Sequence, residues 1–269
     1  MHSKREAKGL KKGRWIIASV FLAAVLVLTA CGGGQKSGSE SDGNVLRVGT
    51  DAAYPPFEKQ EGSGEITGFD IEVIQAIAEA EGLEVRVQHT GWDGLFEAVD
   101  SGKVDAGISA ITITEERKKK YDFSDPYFEA KQLILVPKDS DVSTLEDLKG
   151  KKIGVQSGTT GEIVVQKAFG KTYEGIRGYD DTPGAIDDLV IGRVDAVVAD
   201  NGVVLDYMKK LPEGKFKTIE DNSFEPESYG IMVKKGNKEV LDKINSGLKK
   251  IQEDGTFDKI YKKYFGQES

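Results

Sequence analysis

The sequence predicts an α/β protein built as two related lobes. Two observations predict it. Strand-like and helix-like apolar patterns alternate from Val45 onward, and one stretch of the chain recurs further along at a fixed offset. VLRVGT (45–50) is apolar and β-branched and reads as a strand. FDIEVIQAIAEAEG (69–82) sets Ile71, Ile74, Ile77 and Ala78 on one helical face and stops at Gly82. LEVRVQHT (83–90) alternates as a strand does, DGLFEAVDSG (93–102) is a short helix closed by glycine, and VDAGISA (104–110) is a buried strand. KKIGVQSGTT (151–160) opens a second cycle, a strand running into a loop of small residues.

Residues 91–110 can be laid over 181–200 at a constant offset of 90. Gly94 then pairs with Gly184, Gly102 with Gly192, and Val104-Asp105-Ala106 with Val194-Asp195-Ala196. Either a helix–glycine–strand unit recurs by chance, or the chain holds two similar lobes. In the second case each lobe offers the loops beyond the carboxyl ends of its strands to a shared cleft. QLILVPKDS (132–140) reads as the extended passage to lobe two, and ESYGIMVKKG (227–236) as the return. The tail has helical spacing at Val240, Leu241, Ile244, Leu248 and Ile251, then at Phe257, Ile260, Tyr261 and Phe265, and packs on lobe one. Lobe one is therefore expected to be 45–135 plus 233–266 and lobe two 136–232. Hinge segments fall near 135–139 and 228–232, where two crossings permit rigid closure.

Composition narrows the functions. The 269 residues are 38% hydrophobic and 30% charged, a globular balance that excludes collagen-like, wholly disordered and polytopic membrane chains. One cysteine permits no intrachain disulfide and no cysteine zinc cluster; of the two histidines His2 falls in the leader expected to be removed, and His89 alone permits no multi-histidine metal site. No metal and no cofactor is expected. The net charge is −8; without residues 1–30 there remain 31 basic and 44 acidic residues, which repel nucleic-acid phosphates.

Residues 1–14 are basic and polar, and Trp15–Ala30 is a 16-residue apolar run, short for a spanning helix. This is the n-region and h-region pattern of a signal peptide. It ends in Leu28-Thr29-Ala30-Cys31, which resembles the bacterial lipobox. The alternative is an uncleaved anchor helix with an incidental cysteine. Lipidation of Cys31 would leave residues 31–44, rich in Gly and Ser, as a flexible tether to the extracytoplasmic face of the cell membrane.

Several strings carry a wider resemblance: GTDAAYPPFE (49–58), GFDIEV (68–73), ISAITITEERKKKYDFSDPY (108–127), LKGKKIGVQSGTTG (148–161), GRVDAVVADN (192–201), YGIMVKKGN (229–237) and IYKKYFG (260–266). They span residues 45–266, and the ITITEER…DFSDPY string is highly specific. Together they are similar to the bacterial extracellular solute-binding proteins for polar amino acids, family 3, the receptors of ABC importers. The resemblance implies the type II periplasmic-binding-protein fold, two α/β lobes joined by two crossover strands. It also implies an L-amino acid as ligand, ABC permease subunits in the membrane as partner, ATP consumed by other subunits, and a monomer. No nucleic acid is expected as partner.

An amino acid presents a carboxylate, an ammonium and a side chain. Arg117, taken alone, is either a surface residue of a charged run or a planar fork for a carboxylate; the resemblance implies the second. Thr114 reads as the cap of its helix. Ser109, Ala110 and Thr112 leave the end of one strand, where amides and a hydroxyl can complete the carboxylate cage. Gly158-Thr159-Thr160-Gly161 opens a helix with free amides, and the resemblance assigns the Thr160 amide and hydroxyl to the same carboxylate. Asp200 follows an apolar strand, either as a paired acid or as the N-cap of the helix at 201–208; the resemblance implies that it binds the ammonium. Tyr54 and Trp92 can flank the ligand's side chain or pack in a core. Asp51 is the remaining polar determinant, with Gln156 facing it in the family register. Arg117, Asp200 and Asp51 sum to −1, which favours arginine, lysine or histidine, with glutamine close behind. Asp105 and Asp195, at the starts of their strands, are read as structural. No catalytic residue is expected: His89 is structural or exposed, and there is no P-loop. The enzyme alternative on this fold is a secreted cyclohexadienyl dehydratase, and a ligand-sensor module is a third class.

Overall fold

Residues 44–266 are described by the computed structural model. The expected leader (1–30), Cys31 and the tether up to residue 43 lie outside the described residues. Among the described residues, no helix is long and apolar enough to cross a membrane.

Two five-stranded sheets of matching layout organise the chain. In the first, Val45–Thr50 lies between Glu84–His89 and Ala106–Gly107, all parallel. Met232–Lys234 then pairs antiparallel with Ala106–Gly107, and Tyr121–Phe123 forms the edge. In the second, Ile153–Gln156 lies between Ile176–Tyr179 and Ala196–Asp200, again parallel. Gln132–Pro137 pairs antiparallel with Ala196–Asp200, and Phe216–Ile219 forms the edge. The stretches matched at the offset of 90 take equivalent places. Helix Trp92–Ser101 leads to Ala106–Gly107, as helix Thr182–Val190 leads to Ala196–Asp200.

The helices form where their apolar stripes find a sheet. Phe69–Ala80 buries Phe69, Val73, Ile74 and Ile77 against Val48, Ile108 and Val233 of the first sheet's core. The C-terminal helices Lys238–Glu253 and Thr256–Phe265 add Ile244, Leu248, Ile251 and Ile260 to that core, as the tail's spacing predicted. The second sheet buries Ile134, Val155 and Val198 on one face, and Leu133, Leu135 and Val197 on the other, against Ile186 of helix Thr182–Val190. The paired acids Asp105 and Asp195 do the same job in each sheet. Asp105 accepts the backbone N–H of Arg47 at 2.9 Å, and Asp195 that of Lys152 at 2.7 Å.

Two details differ from the sequence reading. Gln132–Pro137 is not the passage between halves: Leu135 registers with Val197 on one side and Thr218 on the other, wholly inside the second sheet. Its residues from Gln132 to Val136 are buried, as befits a strand covered on both faces. The crossing is a two-stranded antiparallel ribbon, Phe128–Ala130 with Glu227–Tyr229, so the first boundary falls near 130 rather than 135. The strand read over 104–110 is laddered only at Ala106–Gly107. Beyond it the chain turns away through Ala110, held at φ 46°.

Gly68, at φ 141°, seats the Phe69–Ala80 helix against the Pro56–Glu58 turn; a Cβ there would stand 2.1 Å from the Phe57 carbonyl oxygen. Gly68→Ala should therefore destabilise the protein by about 2–4 kcal/mol through backbone displacement. Urea denaturation checks this, and an unchanged midpoint would contradict the close approach.

Candidate ligand-binding site

The ten residues singled out in the sequence line one narrow, nearly filled cavity of about 10 Å³: Asp51, Tyr54, Trp92, Ser109, Ala110, Thr112, Arg117, Gln156, Thr160 and Asp200. Thr159 joins them. The cavity lies where loops of the first sheet meet the helix start and strand end of the second.

Arg117 sits on the short helix Glu115–Lys118, capped by Thr114, whose hydroxyl oxygen accepts the Arg117 backbone N–H at 3.1 Å. Its neighbours Lys118 and Lys119 pair with Glu115 and Glu116 on the surface. The Arg117 guanidinium instead turns inward. Nη1 donates to the Thr112 carbonyl at 2.8 Å and Nη2 to the Gly158 carbonyl at 3.3 Å. Its carbon lies 5.2 Å from the Trp92 ring centre and 5.5 Å from that of Phe96. Burial draws its pKa down to about 10, opposed by Asp200 and Glu227, so it stays cationic at neutral pH. Two of five guanidinium N–H donors are engaged, and the others remain for a carboxylate.

Asp200 precedes helix Asn201–Met208 but makes no side-chain capping bond. Its carboxylate is buried and paired instead. Oδ2 accepts from the hydroxyls of Tyr54 at 2.8 Å and Tyr229 at 2.7 Å, and Oδ1 accepts from Gln132 Nε2. Burial, then the nearby Glu227, push its pKa up to about 6, against the pull of the three donors.

Asp51 is buried, and burial raises its pKa. Its Oδ2 accepts from Gln156 Nε2 at 3.0 Å, while Gln156 Oε1 accepts from Thr182 at 3.1 Å. That second bond turns the Gln156 oxygen toward Thr182 and leaves Asp51 as the acceptor at this end of the cavity. His89, partly exposed, accepts the Ala52 N–H at 3.0 Å through Nδ1, a structural role.

Three residues not singled out in the sequence belong to the same network: Gln132, Glu227 and Tyr229. Glu227 Oε2 accepts from the hydroxyls of Thr112 at 2.6 Å and Thr160 at 2.7 Å. Each hydroxyl has one proton, so neither donates to the cavity in this arrangement. In this arrangement both hydroxyls are directed at Glu227, and helix Thr160–Phe169 begins beside them. Glu227 also alters the charge count. With Asp51, Asp200 and Glu227 ionised against Arg117, the region sums to −2. The one local signal in the sequence was polar Gln132 at the head of an apolar strand. Glu227 and Tyr229 are placed by the ribbon, which pattern alone did not locate.

Residues 46–267 match the family described as bacterial extracellular solute-binding proteins, family 3. The chain is 39% identical to a probable histidine-binding protein of Neisseria gonorrhoeae, covering 95% of this chain and 96% of that one. Among solved structures it is similar to the arginine-, lysine-, histidine-binding protein ArtJ of Geobacillus stearothermophilus, with TM-score 0.80 and 47% identity over 83% of this chain and 96% of the other. An ancestral arginine-binding protein bound to arginine gives TM-score 0.79 and 48% identity over 83% of this chain and 99% of the other. The same description bound to glutamine gives 0.77 and 48% over the same shares.

The raised pKa of Asp200 carries a stability consequence. The folded state binds this proton more tightly than the unfolded chain, whose ordinary value is 3.8. The contribution is full below pH 3.8 and is lost as pH rises through 6, on the order of 3 kcal/mol in total. Asp200→Asn should flatten that slope. Urea denaturation of both proteins from pH 4 to 7 measures it, and parallel curves would refute it.

Proposed function

The chain belongs to the bacterial extracellular solute-binding proteins of family 3, with the type II periplasmic-binding-protein fold; from its cavity we propose that it captures a cationic L-amino acid, arginine, lysine or histidine, and delivers it to an ABC permease. One observation carries the reading: a guanidinium and a carboxylate, Arg117 and Asp200, reach one cavity from different sheets. The ligand carboxylate meets Arg117 and the Thr160 amide. Its ammonium meets Asp200, which is already oriented by two tyrosine hydroxyls. Its side chain runs between Tyr54 and Trp92 toward Asp51.

The preference for a cationic side chain rests on charge. A dibasic amino acid brings +1 to a region of −2, whereas glutamine brings none and finds the Gln156 oxygen already bonded to Thr182. The names of the histidine-, arginine- and lysine-binding relatives support the same class. Binding proceeds by closure. The lobe of the first sheet holds the ligand through Arg117, and the lobe of the second swings in about the ribbon at 128–130 and 227–229 to add Thr160 and Asp200. The protein works as a monomer on the extracytoplasmic face, its leader at 1–30 removed and Cys31 lipidated. It releases its ligand chemically unchanged, while other subunits consume ATP.

Calorimetric titration with the twenty amino acids tests the substrate class. Tight binding of arginine, lysine or histidine and weaker binding of glutamine is expected. Tight glutamine binding with silent cationic ligands would overturn the side-chain assignment, and turnover of prephenate or arogenate would overturn the binding role.

Arg117→Ala and Asp200→Ala should each weaken binding at least a hundredfold, about 3 kcal/mol or more, because each strips one partner from a desolvated charge. Circular dichroism should show both folded. Wild-type affinity in either variant removes the two-ended grip.

A further inference from the structure

Behind the cavity lies a second pair of acids that the binding reading does not use. Glu58 and Asp70 are both fully buried, at 0% exposure. Glu58 Oε1 accepts from the Ser109 hydroxyl at 2.8 Å. Asp70 Oδ2 accepts the Ala110 N–H at 2.7 Å and the Tyr127 hydroxyl at 2.8 Å. Their other oxygens, Glu58 Oε2 and Asp70 Oδ1, find no donor, although the two side chains are within hydrogen-bonding reach of each other. The titratable groups that act on the pair are Asp51, Tyr54 and Tyr127, from the loop after the first strand, the following turn and the segment before the ribbon. One is an acid and two are phenols, so none offsets a second negative charge.

We propose that Glu58 and Asp70 share a single proton between Oε2 and Oδ1, and that this acid pair positions the Ser109–Ala110 backbone that lines the ligand cavity. One proton satisfies both unpartnered oxygens with one bond, and two touching carboxylates out of water cannot both ionise. Asp70 is the anionic member. It lies in the first turn of helix Phe69–Ala80, where the helix end favours negative charge, and it receives two donors. Glu58, with one hydroxyl donor, carries the proton. Burial raises the pKa of both, in keeping with a pair that retains its proton.

The pair touches no ligand and acts through what it holds. The Asp70 carboxylate fixes the N–H of Ala110, whose φ of 46° is a conformation non-glycine residues seldom take. Ser109 donates to Glu58 and accepts the Asp51 N–H at 3.0 Å, so one bridge fixes two cavity-lining segments. The positioning role rests on the amino-acid reading of the cavity, and the shared proton does not.

Infrared difference spectroscopy of the whole protein at pH 8 tests the proton, since Asp200 is then largely ionised. The expected result is a protonated-carboxyl stretch that shifts in D₂O, shifts on glutamate-selective ¹³C labelling and vanishes in Glu58→Gln. No such band, or one that moves only with aspartate labelling, overturns the proposal; the labelling arm needs no variant to fold. Arginine titration tests the positioning. Glu58→Gln, whose amide can donate the same bond to Asp70, should keep affinity within about threefold, and Glu58→Ala should lose more than tenfold. Equal losses in both variants, with both folded, would overturn the positioning role. If the wild-type protein ignores arginine and every other amino acid, the ligand reading fails and the band still decides the proton.

Discussion

A carboxylate taken out of water must recover its hydrogen bonds from the protein, and Asp200 does so from three separate segments. Tyr54 comes from the first sheet's loops, Gln132 from the second sheet and Tyr229 from the ribbon between them. No one element could supply all three. The bonds exist only when both sheets and both crossing strands stand in their native relation, so the anion at the centre reports on the assembly of the whole. The same logic holds for Arg117, whose two fixed donors reach carbonyls of residues 112 and 158.

Around these two charges the polar network is shared between the halves rather than divided. Glu227 collects hydroxyls from Thr112 and Thr160, and Gln156 reaches across to Asp51. Each sheet has its own apolar core, and the helix Asn201–Met208 bridges them, with Val203 in the first sheet's core and Val204 in the second's. A cavity wall held by hydrogen bonds and charge is suited to exchanging its internal partners for those of a ligand.

Much of this was legible in the sequence. The alternation of strand and helix patterns located both sheets, because a strand buried by its neighbours reads as a short apolar run wherever it falls. The offset of 90 placed Trp92–Ser101 and Thr182–Val190 in equivalent positions. Strand ends and helix starts drew attention to Asp51, Ser109–Thr112 and Gly158–Gly161, whereas the roles expected of Arg117, Gln156, Thr160 and Asp200 came from the resemblance to the family's motifs. What was not legible depends on contacts between distant segments. Periodicity says that QLILVP is a strand but not which sheet receives it, and so the ribbon lay unlocated and Glu227 and Tyr229 with it. Hydroxyl direction was equally out of reach: Thr112 and Thr160 line the cavity, while the carboxylate that claims their protons comes from residue 227. Glu58 and Asp70 stood in quoted motifs, yet their contact depends on Gly68 letting two backbones approach.

The ribbon has a mechanical corollary. Its two strands register at Glu227–Ala130, Ser228–Glu129 and Tyr229–Phe128, so the connections between the sheets are stitched side by side. A strap of this kind yields across its thin dimension and resists shear within its plane. Closure of the kind proposed would bend the strap across that thin dimension, along one angular coordinate. Because Tyr229 belongs to the strap and also bonds Asp200, the tilt of that coordinate is sensed at the anion itself.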